Sequence, residues 1–148
     1  MEGWLLREPA PALRHGRVQS RILVPLATHV HAELGFVLAK NPDTARAPDV
    51  CFLSSTRRAG TEDDSRLVQG GPDLAVEVLS PSNRRGEMHG KIADLLAAGT
   101  GLVWVVDPKR RTVTVYRTLL APRVLGEGDV LEGEDVAAGF VLPVAALF

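Results

Sequence analysis

A single acid stands inside an otherwise apolar run. Leu74-Ala75-Val76-Glu77-Val78-Leu79 is closed by Gly70-Gly71-Pro72 on one side and Ser80-Pro81-Ser82 on the other. A short apolar run between such breakers, with no polar alternation, reads as a strand covered on both faces. A carboxylate in that position is costly unless a cation, a metal ion or hydrogen bonds compensate. The rest of the chain has to supply that compensation.

The chain has 148 residues, enough for one domain with a real core, and that is the expected organisation over residues 1–148. With 45% hydrophobic and 24% charged residues it has the balance of a globular protein, not of a disordered or fibrous one. A net charge of −1 supplies no overall basic field for nucleic acid, although a local basic cleft remains compatible with it. One cysteine, Cys51, excludes an internal disulfide and a cysteine-rich zinc site. Between Val50 and Phe52 it reads as a small core residue. No stretch approaches the ~20 apolar residues of a membrane span, and the N-terminus has no apolar signal core. A cytoplasmic location is therefore expected.

In chain order, residues 3–7 suit a short strand that Pro9 and Pro11 end. A helix is expected from about Arg14 to Leu34, with Val18, Ile22, Leu26 and Val30 at helical spacing, a kink at Pro25 and Gly35 as its C-cap. Phe36–Ala39 and Val50–Leu53 read as strands. Residues 56–70 read as a solvated loop, and the Glu77 strand follows. A helix from about Glu87 to Ala98 turns Met88, Ile92, Leu95 and Leu96 inward, with Gly99 closing it. Leu102–Val106 reads as a buried strand, and Thr112–Arg117 as its hairpin partner. The tail has glycines in turns and an apolar end. This order predicts a mixed α/β (α+β) domain with a central mixed sheet flanked by helices.

Asp73 and Glu77 are four residues apart, roughly 13 Å along one strand, too far to share an ion. Asp73 is better read as a strand or loop cap. Asp49 opens a different strand, and neighbouring strands lie ~4.8 Å apart, so it is the better partner for Glu77. Two adjacent carboxylates ionise comfortably with a cation between them, and a hard divalent ion such as Mg²⁺ or Mn²⁺ suits oxygen ligands. Lys91, on the helix directly after the strand, can swing its ammonium toward the strand end and stabilise developing negative charge. An ordinary ion pair with Glu87, one turn earlier, is the plainer alternative.

Asp49, the segment Glu77-Val78-Leu79-Ser80-Pro81-Ser82, Lys91 and Trp104-Val105-Val106-Asp107-Pro108 together resemble the Uma-two type family of putative restriction endonucleases, within the PD-(D/E)xK nuclease superfamily. The resemblance spans nearly the whole chain, including Gly139-Phe140 and Leu147-Phe148. It implies a restriction-endonuclease-like core and Mg²⁺- (or Mn²⁺-) dependent phosphodiester hydrolysis, with DNA as the substrate. Cutting a duplex needs two sites, hence a homodimer. By resemblance Asp49 takes the PD aspartate position and Glu77 the D/E position. Leu79 stands where the strand lysine belongs, which makes Lys91 a migrated replacement. His15 matches a histidine commonly seen in the family. Two departures are visible: Leu95 replaces a usual tyrosine, and of a Glu-x-Gly-like start Glu2-Gly3 remains.

The missing strand lysine, Leu95 and the mildly acidic balance support a second reading, a non-catalytic descendant that binds nucleic acid or a protein partner and keeps the acids as a polar network. Of the arginines in loops, the Arg84-Arg85 pair is the better phosphate-contact candidate; Arg57, Arg58 and Arg66 are interleaved with acids at 62 to 64. His29, His31 and Glu33 read as a solvent-facing stripe, Ser80 and Ser82 as turn residues, and Trp104 as core.

Overall fold

The computed structural model describes residues 10–25, 30–32, 36–39, 44–54 and 68–148. In chain order the elements are α1 (Ala10–Leu23), β1 (Val30–Ala32), β2 (Phe36–Ala39), β3 (Thr44–Arg46), β4 (Val50–Phe52), β5 (Val68–Gln69) and β6 (Leu74–Val78). They continue with α2 (Arg85–Ala97), β7 (Leu102–Asp107), β8 (Thr112–Tyr116), β9 (Arg123–Leu125), β10 (Val130–Glu132), β11 (Val141–Pro143) and a 3₁₀ turn (Val144–Leu147).

A six-stranded sheet runs in the order β1-β4-β6-β7-β8-β9. Its central pair, β6 and β7, is parallel, and α2 makes the crossover between them. The other neighbours are antiparallel. A small β3-β2-β5 sheet and a β10-β11 hairpin complete the α+β architecture. Every residue of β6 is buried, as an apolar run between breakers requires.

Side chains alternate across the sheet, so β6 and β7 each serve two cores. Leu74, Val76, Val78, Leu102, Trp104 and Val106 pack with Val18 and Ile22 of α1 and with the C-terminal Leu131, Phe140, Val144 and Leu147. Trp104 and Phe140 have ring centroids 5.3 Å apart, which brings the end of the chain onto this face. On the other face Ala75, Val103 and Val105 pack with Ile92 and Leu95 of α2. Glu77 belongs by alternation to this second face. Each fully buried Val, Leu or Ile contributes roughly 1.5–3 kcal/mol. Such neighbours offset the several kcal/mol that one buried carboxylate costs.

The helix expected from Arg14 to Leu34 is shorter and begins earlier. It stops at Leu23, Val24 and Pro25 turn the chain, and Val30–Ala32 forms a strand paired antiparallel with β4. Proline has no amide hydrogen to donate and its ring clashes with the carbonyl four residues back, so the helix ends here instead of kinking. Across from Phe52, Cys51 and Val50, the residues Val30-His31-Ala32 gain a sheet ladder that a helix would forgo. His31 is thus on a strand, while His29, Glu33 and Gly35 lie outside the described residues, as do the strand expected at 3–7 and Arg57, Arg58 and Arg66. The loop expected over 56–70 ends in β5, which pairs in parallel with β2. Gly99 adopts φ +95° just after α2, a left-handed conformation that glycine takes without strain and that closes the helix.

Candidate active site

The register of β4 against β6 pairs Val50 with Val76 and Cys51 with Ala75. One residue further the same ladder sets Asp49 opposite Glu77, and opposite residues of an antiparallel pair point to the same face. Asp49 precedes β4 in a bend that follows the buried Pro48. Its Oδ2 accepts the Val78 amide at 2.7 Å, tying it to the end of β6. Its main-chain carbonyl accepts a hydrogen bond from Gln19 Nε2 at 2.7 Å, and His15 Nε2 lies 3.4 Å from Oδ1. His15 and Gln19 are one turn apart on α1, so one helical face grips both the side chain and the backbone of Asp49.

The Glu77 side chain is 3% exposed. Lys91, in the second turn of α2, places Nζ 2.7 Å from Glu77 Oε1 and donates to the Ala47 carbonyl at 3.3 Å. The ion pair with Glu87 is not the arrangement adopted; the ammonium turns inward. Burial raises the Glu77 carboxyl from 4.5 to about 7; the charge and proximity of Lys91 pull it down, and Asp49 pushes it back up. The ammonium is thus the charge that compensates this buried oxygen.

A buried carboxylate beside a second carboxylate is the donor chemistry that a hard divalent cation takes. Among the described residues no three His, Cys, Asp or Glu side chains gather into a ready-made metal cage. An ion here would draw on Asp49 and Glu77 and complete its shell with water, as Mg²⁺ commonly does.

Asp73 sits at the far end of β6 from Glu77, where its Oδ2 accepts the Ser54 amide at 2.7 Å. It braces a loop and stands apart from the carboxylate pair. Ser80 and Asn83 close a turn, with the Ser80 amide donating to Asn83 Oδ1 at 2.6 Å. Arg84 and Arg85 are exposed at the start of α2, where Arg84 occupies the N-cap without a side-chain cap. Both belong to the segment that leads from the Glu77 strand into the helix of Lys91.

The family model of Uma2, described as "Putative restriction endonuclease", matches residues 1–145. The chain belongs to the Uma2 family. A crystal structure of a putative nuclease belonging to DUF820 from Anabaena variabilis aligns with a TM-score of 0.77 at 22% identity, covering 91% of this chain and 80% of that one. That likeness shows the restriction-endonuclease-like fold expected from the sequence. No curated protein sequence matches the chain. Family and neighbour together support a nuclease function for this Uma2 protein.

Three contributors to the site carry no motif of their own. Gln19 is marked only by its helical spacing from His15. The Ala47 carbonyl is a backbone group and leaves no trace in residue type. Arg46, on β3, donates to Asp94 of α2 at 2.7 Å, one turn beyond Lys91. Among the described residues no helix is long and apolar enough to cross a membrane.

Proposed function

We propose that this protein is a metal-dependent endonuclease that hydrolyses phosphodiester bonds of DNA. The observation that supports this reading most is the convergence of Asp49, Glu77 and Lys91, from a loop, a strand and a helix, at one end of β6. Asp49 and Glu77 hold Mg²⁺ or Mn²⁺. When bound, such an ion supplies positive charge to a phosphate oxygen and lowers the pKa of a coordinated water.

The chain's own groups do the rest. Val78 N–H and the His15–Gln19 face of α1 fix the orientation of Asp49, so its carboxylate needs little reorganisation when substrate arrives. Lys91 provides a positive charge for the extra negative charge that develops on the phosphate in the transition state. Arg84 and Arg85 contact phosphates and position the backbone without reading sequence. A single nuclease domain over residues 1–148, acting as a homodimer in the cytoplasm, would present two sites to the two strands of a duplex. A role as an inactive binding module has less support. A structural network would pair Lys91 with Glu77 alone; a second carboxylate, Asp49, works against that pair and is accommodated by a further cation.

The test is cleavage of supercoiled plasmid and of single-stranded DNA with Mg²⁺ or Mn²⁺, comparing wild type, Glu77→Ala and Lys91→Ala. Metal-dependent cutting that disappears in both variants is the expected result. A folded wild type that cuts neither substrate overturns the reading in favour of the binding module.

A further inference from the structure

The ammonium of Lys91 is held by two oxygens, Glu77 Oε1 and the Ala47 carbonyl. A carboxylate oxygen and a main-chain carbonyl are also the hard donors that a divalent cation seeks. The lysine side chain is 22% exposed, so its charge is only partly screened by solvent where it meets Glu77. The ammonium and a divalent ion on the same carboxylate oxygen would repel strongly in this shielded setting. One turn back on the same face of α2, Glu87 is exposed and has no ion-pair partner among the described residues. A lysine released from Glu77 therefore has a second carboxylate within its reach.

We propose that Lys91 is the resident counter-cation of the Glu77 carboxylate, and that a divalent ion binds there by displacing its ammonium toward Glu87. The inference rests on the reading that Asp49 and Glu77 hold a metal, and it adds a second role for the lysine. Lys91 sets metal affinity by competition, in addition to stabilising charge on the phosphate. Among the described residues no third acid completes a cage with Asp49 and Glu77, and the charged group beside Glu77 is a cation that has to move. Metal loading and repositioning of Lys91 are then one event.

The test is calorimetric titration of Ca²⁺ and of Mn²⁺ without nucleic acid, into wild type, Lys91→Met, Glu77→Gln and the double variant. Methionine keeps an apolar stem of similar reach and removes the charge. Lys91→Met is expected to bind both ions about tenfold or more tightly than wild type, and Glu77→Gln to abolish binding with or without Lys91. A second readout needs no variant. The chain has three lysines, at 40, 91 and 109, so side-chain ammonium NMR of wild type can follow each of them; Ca²⁺ should move the Lys91 signal and leave that of Lys109 in place. Equal or weaker binding by Lys91→Met, or a Lys91 signal unmoved at saturating Ca²⁺, overturns the competition while leaving the metal site intact. Ion binding that survives Glu77→Gln, or no binding by any of the four proteins, overturns the metal site and this proposal with it.

Discussion

Gln19 donates its side-chain amide to the main-chain carbonyl of Asp49 at 2.7 Å. That bond fixes the backbone of the acid, while His15, one turn earlier, faces the Oδ1 of its carboxylate. Gln19→Ala should cost about 1 kcal/mol of stability, the net worth of one such hydrogen bond. Because a small displacement of a reacting group is expensive in rate, cleavage should fall roughly tenfold or more. The loss is expected in kcat, with KM for DNA little changed, since Gln19 faces Asp49 and not the substrate. A thermal melt and steady-state cleavage of a defined duplex measure the two effects. A variant whose kcat equals wild type would show that Asp49 needs no such support.

The buried Glu77 makes stability depend on pH in an unusual direction for an acid. Its carboxyl titrates near 7 in the folded protein against 4.5 ordinarily, so between those values the folded state binds more protons than the unfolded. The contribution is fully present below about pH 4.5 and is lost as pH rises through 7, amounting to something of order 3 kcal/mol. Glu77→Gln should flatten the stability profile across that window and be at least as stable as wild type at pH 8. The same proton competes with a divalent ion, so metal affinity should fall by up to tenfold per pH unit below 7. Chemical denaturation at a series of pH values, with and without Mn²⁺, reads both.

Arg84 and Arg85 are exposed at the uncapped start of α2 and belong to no ion pair among the described residues. If both neutralise phosphates, replacing them with alanine should reduce the slope of log K against log salt by about 2, since each phosphate contact contributes roughly 0.9. The weakening should be uniform across sequences, because backbone contacts carry no base information. Fluorescence anisotropy with two unrelated duplexes at several salt concentrations measures this. A slope equal to wild type would remove the pair from the interface.

The Glu77 strand was legible because breakers on both sides and a run apolar except for Glu77 leave a five-residue strand few alternatives. Its pairing with Asp49 was legible for the same reason: each acid stood against its own apolar run, and adjacent strands are the closest way to join them. Lys91 followed from its place on the helix directly after β6. The region before residue 36 misled, because Val18, Ile22, Leu26 and Val30 keep helical spacing straight through Pro25. Three residues of β1 carry too little pattern to outweigh that, and their strand pairing depends on Val50–Phe52, a partner distant in sequence. Similarly, the two residues of β5 gain their conformation from β2. Gln19 and the Ala47 carbonyl acquire meaning only when α1 and the β3–β4 connection are brought against Asp49 and Lys91.

That connection is also braced from outside. Arg46 donates through both Nε and Nη2 to Asp94 Oδ2, and Lys91, one turn earlier on α2, donates to the carbonyl of the adjacent Ala47. The segment that leads into Asp49 is thereby held to the helix that carries Lys91 at two points. The Arg46–Asp94 pair is substantially exposed, at 40% and 36%, so its direct worth to stability should be below about 1 kcal/mol. Its effect on rate should be larger, because it sets the distance between the lysine and the Asp49–Glu77 pair. Asp94→Asn is expected to leave the melting temperature within a few degrees and to lower kcat several-fold. The charge-swapped double variant Arg46→Asp, Asp94→Arg should recover a good part of the loss, since it restores the link with opposite polarity. Recovery separates a positioning role from a general loosening of the fold, which swapping the charges would not repair. If the single and double variants are equally impaired, the alignment of α2 rests on its apolar contacts through Ile92 and Leu95 instead.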